Sequence, residues 1–163
     1  MHNTSTNSSE CKPRFAARDG HQGNYQRLAV LYVRFALGAA FLSGIADRFG
    51  LYTGRNVGYG NFAGFVDYTA KVNSFMPAST IPFLAWAATA AEFTLGVLLI
   101  IGIWPRWVGL ASALLLVLFG TAMAISFGIK SPMDYSVFSA SAAAVLLAAN
   151  SLGSQAKQES DPA

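Results

Sequence analysis

Cysteine and histidine are almost missing from this chain: Cys11, His2 and His21 are the only ones, and all lie within the first 21 residues. A lone thiol excludes an intrachain disulfide, a C-x-x-C redox centre and a cysteine-built zinc site. Without histidine beyond residue 21, the apolar part of the chain cannot hold haem through imidazole. No metal site and no intrinsic cofactor are expected. Charge is scarce too: Asp, Glu, Lys and Arg are 12% of the 163 residues, against about 25% in an average soluble domain. The net charge of +3 comes with no basic face carrying interleaved aromatics, so no nucleic-acid partner is expected.

Apolar residues fill the space that charge leaves: 53% of the chain is hydrophobic and the mean hydropathy is +0.41. They gather in four runs, 28–49, 81–103, 108–127 and 133–152. Each is near the roughly 20 residues that a helix needs to cross a hydrocarbon core of about 30 Å. The expected fold is all-α, an integral membrane four-helix bundle spanning residues 27–152 in the lipid bilayer. The polar, basic tail 1–26 and the tail 153–163 lack apolar periodicity and read as disordered. The outer loop 50–79 holds a short amphipathic pattern: Asn61 can cap a helix with Phe62, Phe65, Val66 and Val72 near one face and Asp67 and Lys71 on the other. Such an element suits the membrane surface, or an ordinary loop with hydrophobic staples. Between the second and third runs, the WPRW turn (Trp104 to Trp107) looks like an aromatic belt with a cationic anchor. Ahead of the fourth, Ser131, Pro132 and Asp134 can form a capping box.

Lys12, Arg14, Arg18, Arg27, Arg106 and Lys157 fall on one side of these spans, and Arg48, Arg55, Lys71 and Lys130 on the other. The excess places both termini in the cytoplasm. Small residues mark the faces where helices meet in lipid. They are Ala36, Ala40 and Gly44 on the first span and Ala85, Ala88, Thr89, Glu92 and Gly96 on the second. The third offers Gly109, Ala113, Gly120 and Ala124, and the fourth Ser136, Ala140 and Ala143. Trp86, Phe93, Val97 and Ile100 should face lipid.

Two charges fall inside the spans. Arg34 lies about 9 Å past the start of the first and Glu92 about 16 Å into the second, near the midplane. A charge at that depth costs roughly 2.5–3.5 kcal/mol on insertion scales, which favours a partner. Arg34 is long enough to reach Glu92, so the two are expected to pair; alternatively Glu92 is a neutral, hydrogen-bonded acid. The pair could fix helix register, or it could form, with Thr89, a polar intramembrane site. Asp47, Arg48, Lys130 and Asp134 make a second, outer set explained by capping and solvated pairing.

The residues that carry these features resemble a known family. RFALGAAFLSGIADRFG resembles the R-x-x-L-G…F…G opening of DoxX-type membrane proteins. AAEFTLGVLLIIGIWPRW resembles their E-x-x-x-G-x-x-L-x-x-G segment with its short basic turn, and GIKSPMDYSVFSASAA the start of their fourth helix. Arg34, Gly38, Glu92, Gly96 and Gly102 stand at the shared positions; Asp47 and Arg48 occupy the region where many members carry a lysine. The resemblance implies a multi-pass protein of the bacterial inner membrane. It also implies kinship with the DoxD-like subunit of thiosulfate:quinone oxidoreductase and with relatives linked to redox stress or membrane assembly. The function expected is an accessory subunit of a quinone-linked redox system, with quinone as candidate cofactor, a redox protein as partner and homo-oligomers as an option. Whether the chain is itself an enzyme stays open. A structural or assembly module without a small-molecule site, and a small-molecule or proton carrier using Glu92, are the alternatives.

Overall fold

A computed structural model of the chain describes residues 16–54 and 57–159. Helix α1 spans Ala16–Arg48, α2 Phe62–Val72, α3 Ile81–Ile101, α4 Pro105–Phe127, α5 Lys130–Asp134 and α6 Val137–Glu159; a 3₁₀ turn, Ala78–Thr80, leads into α3. No strand occurs among the described residues. Three helical stretches, Gly23–Arg48, Ala78–Ile101 and Pro105–Phe127, are long and apolar enough to cross a membrane, and Val137–Ser151 adds a shorter apolar helix. The bundle is therefore that of a multi-pass membrane protein.

Both outer helices outrun their apolar runs. Residues 16–26, expected in a disordered tail, continue α1, and α6 continues past Leu152 to Glu159. Once a helix is nucleated, each added residue brings a hydrogen bond, so polar ends can propagate beyond the span. Residues 1–15 and 160–163, the remainder of the two tails, lie outside the described residues, as does Arg55. The fourth run is broken rather than continuous. Ser136 has a left-handed φ of 55° between α5 and α6, and no side chain caps α5. The expected capping box is not formed: Asp134 bonds Lys130 one turn back, and Pro132 is buried.

Helix α1 packs most extensively on α3, and α4 on α6, giving two helix pairs set side by side. Gly38 and Gly96 let the first pair close: a Cβ on Gly38 would stand 3.0 Å from the Gly96 carbonyl oxygen, and one on Gly96 3.3 Å from that of Gly38. In the second pair, a Cβ on Gly109 would stand 2.9 Å from the Ala144 carbonyl. On α3 the stripe of Ala85, Thr89, Glu92 and Gly96 is buried, with Ala88 half-buried, while Trp86 and Phe93 are exposed on the lipid side. Ile100, expected to face lipid, packs on Gly38. On α1 and α6 the packing faces are turned from the expected ones. Leu37, Gly38 and Phe41 are buried where Ala36 and Ala40 are exposed; Ser141, Ala144 and Ala148 are buried while Ala143 is half-buried and Ser136 exposed. On α1 the large side chains of Leu37 and Phe41 fill the contact, whereas on α6 small residues still make it, on a neighbouring face.

Gln26 of α1 bonds Asn150 of α6 at 2.8 Å, joining the start of the bundle to its end. At the opposite end Ser126 of α4 donates to the Val72 carbonyl at 2.6 Å. Helix α2 lies there. Asn61 caps it as expected, accepting from the Gly64 amide at 2.8 Å. Its inner face, Phe65, Thr69 and Val72, is buried on the bundle, and Asp67 and Lys71 are exposed. Phe62 packs on Trp86, with ring centroids 4.3 Å apart. The amphipathic segment is thus a lid on the helix ends.

Candidate intramembrane site

The register of α1 on α3 decides which charges meet. With Gly38 opposite Gly96, Arg34 falls level with Ile100, about 12 Å along the axis from Glu92. The Arg34 guanidinium accordingly donates to the carbonyls of Leu99 at 2.9 Å and Ile100 at 3.1 Å. These are carbonyls of the last turn of α3, which lack intrahelical partners and carry the negative end of the helix dipole. Gly102 closes that helix in the left-handed region, φ 85°, and a Cβ there would collide with the guanidinium. Arg34 is a C-terminal cap. The expected Arg34–Glu92 pair does not exist.

Glu92 pairs instead with Arg48. Nη2 of Arg48 donates to both carboxylate oxygens, at 2.7 and 2.9 Å, and Nη1 to Thr89 Oγ1 at 3.0 Å. Thr89 in turn donates to the Ala85 carbonyl at 2.8 Å, so the hydroxyl is satisfied in both senses. Arg48 and Glu92 are each 4% exposed. The Phe65 ring of the lid covers the cation, its centroid 3.7 Å from Cζ, and Tyr59 stands 6.0 Å away. Gly44 leaves room beside the carboxylate: a Cβ there would lie 3.6 Å from Oε2.

The outer set of four charges is not one cluster. Arg48 turns inward, Lys130 and Asp134 pair with each other in the open, and Asp47 braces the loop, accepting from the amides of Gly58 at 2.9 Å and Tyr59 at 3.0 Å. Burial pushes the Tyr59 phenol up to about 12, with Tyr68 beside it adding to the shift; the Tyr68 phenol is itself raised by burial.

Beside the ion pair lies a cavity of about 540 Å³, lined by α1, the lid, α4 and α6, with Glu92 reaching it from α3. Asp47, Arg48, Tyr59, Thr69 and Glu92 supply its polar wall; Leu37, Phe41, Leu116, Phe119 and Met123 supply much of the apolar one. Volume and mixture suit a small-molecule site.

The family model described as DoxX matches residues 29–126, from the first turn of the apolar run in α1 to the end of α4. The chain belongs to the DoxX family. Arg34, Gly38, Arg48, Glu92, Gly96 and Gly102 all lie within the DoxX match, while α5 and α6 lie beyond it. No curated protein and no solved structure matches the chain.

The sequence pointed to Glu92 and Thr89, but it put Arg48 in the outer, solvated set and Phe65 only on the apolar face of α2, and gave no sign of Tyr59. A signal was available for Arg48. Aligning Gly38 with Gly96 places Glu92 level with Leu42, and Arg48 is then about 9 Å away along α1, within reach of an arginine that bends inward.

Proposed function

We propose that this DoxX-family membrane protein binds a quinone-like molecule at the Arg48–Glu92–Thr89 site and serves as an accessory subunit of a membrane redox system. The observation that carries the reading is the cavity beside a buried, lid-covered ion pair. A buried pair is weak evidence of stabilisation in itself, since desolvation offsets much of its attraction. Its position on the wall of a mixed polar and apolar cavity is the usual setting of a ligand site. Electrons would come from a partner protein, and the chain would contribute binding and positioning.

The reading places the protein in the bacterial inner membrane with both termini and the WPRW turn cytoplasmic and the lid outside. Cysteine labelling at Thr53 and Ser154 in a Cys11-free chain tests the orientation; reagent added from outside should reach only Thr53.

For the site, the test is binding of a short-tailed benzoquinone to the purified protein in nanodiscs. Binding is expected for wild type and lost in a folded Arg48→Met/Glu92→Gln double variant. Equal binding by both proteins, or none by either, would leave the pair as a structural strut.

A further inference from the structure

The lining of the cavity reaches the lipid-facing surface of α1. Ala40 lines it and is also exposed on the outer surface of α1. It stands eight residues before Arg48 at the end of the span, hence about 12 Å inside the hydrocarbon region. On the other helix pair, Ala140 and Val137 of α6 line the same cavity and are only half-buried. Ala40 and Ala140 put little side chain at this seam between the two pairs.

The charge around the cavity narrows what can occupy it. Among the described residues Arg48 is the only cation on its wall, and Glu92 already neutralises it at 2.7 Å. Asp47 adds a second carboxylate. An anionic head would therefore meet a wall with a net negative charge, in a setting where charges are poorly screened. The rings of Phe41, Tyr59, Phe65, Tyr68 and Phe119 around it favour a flat, uncharged head.

We infer that the site takes an uncharged, flat-ringed lipid whose hydrocarbon tail passes out between α1 and α6 at Ala40, so that the ligand arrives from the bilayer. This rests on the quinone-like reading above and adds the ligand's charge class and its route. The same wall disfavours anionic amphiphiles.

Three probes test it on the full chain in nanodiscs: a decyl-tailed benzoquinone, the same ring without the tail, and decyl phosphate. Ala40→Trp plugs the seam from a surface position, and a melting curve verifies its fold; Ala40→Leu is a milder plug. Ala40→Trp should weaken the tailed quinone about tenfold more than the tail-less ring, because the indole fills the seam that the tail crosses. Decyl phosphate should not compete. If wild type binds both quinones and neither Ala40 variant discriminates between them, the route is wrong while the head site stands. Competition by decyl phosphate overturns the charge class. Failure of wild type to bind either quinone removes the site itself, and this inference with it.

Discussion

Arg34 and Arg48 stand on the same helix, and both reach across to α3, yet they do different work. Arg34 ends on backbone carbonyls, at a helix terminus where partial negative charge is present in any sequence. Arg48 ends on a carboxylate and a hydroxyl, beneath an aromatic ring and beside a cavity. The difference lies in what each would leave behind. Without Arg34 the last turn of α3 loses a cap but buries no charge. Without Arg48 the Glu92 carboxylate is left alone at membrane depth. Depth along the chain does not distinguish a charge that caps a helix from one that pairs with a carboxylate; the partner does.

The largest effect should come from breaking the second arrangement. Arg48→Met alone, leaving Glu92 buried and unpaired, is expected to destabilise the protein by about 3–5 kcal/mol. Glu92→Gln should cost less, because the amide oxygen still accepts from Nη2. The double variant should fall well short of the sum of the two, measured by denaturation in detergent. Additive losses would mean that the two groups do not interact. The same cycle run with Arg34 and Glu92 should be additive, which sharpens the contrast between the two arginines.

A smaller effect is expected at the cap. Arg34→Met removes two part-buried hydrogen bonds to helix-end carbonyls, at about 1–2 kcal/mol. Gly102→Ala should match or exceed it, since the added methyl meets the guanidinium and the left-handed backbone costs a further 1–2 kcal/mol or about that. In an Arg34→Met background the steric part should vanish and the backbone part remain. A full Gly102→Ala penalty in that background would show that the guanidinium does not pack there.

How much of this was legible follows the same division. Four apolar runs and few charges were enough for the bundle, because the bilayer dictates span length. Asn61 and the faces of α2 were legible because capping and helical period are local. The partner of Glu92 was not local. It depended on the sliding register of two helices, and Arg48 resembled a topology marker because it closes a span. Small-residue counting pointed to Ala36 and Ala40 as a contact face, whereas Leu37 and Phe41 take that role and leave Ala40 at the seam. The break at Ser136 was hidden by a plausible capping box, since a proline next to a serine also suits the short helix that forms.

The smallest expected effect concerns the lid that separates the Arg48 environment from water. Tyr59 sits against Phe65 and Tyr68, with Arg48, Asp47 and Glu92 facing it, and burial raises its phenol from 10.0 to about 12. Protonated phenol is the form that the fold prefers. The stability it contributes is complete below pH 10, where the unfolded phenol begins to ionise, and is lost as pH rises towards about 12. Ultraviolet titration of wild type minus Tyr59→Phe should therefore show one phenol ionising near the upper value, after freely exposed tyrosines have titrated. Cooperative unfolding in the same interval should begin slightly later in Tyr59→Phe. A difference step at pH 10 would mean that water reaches Tyr59 freely, and that the lid does not seal the ring over Arg48.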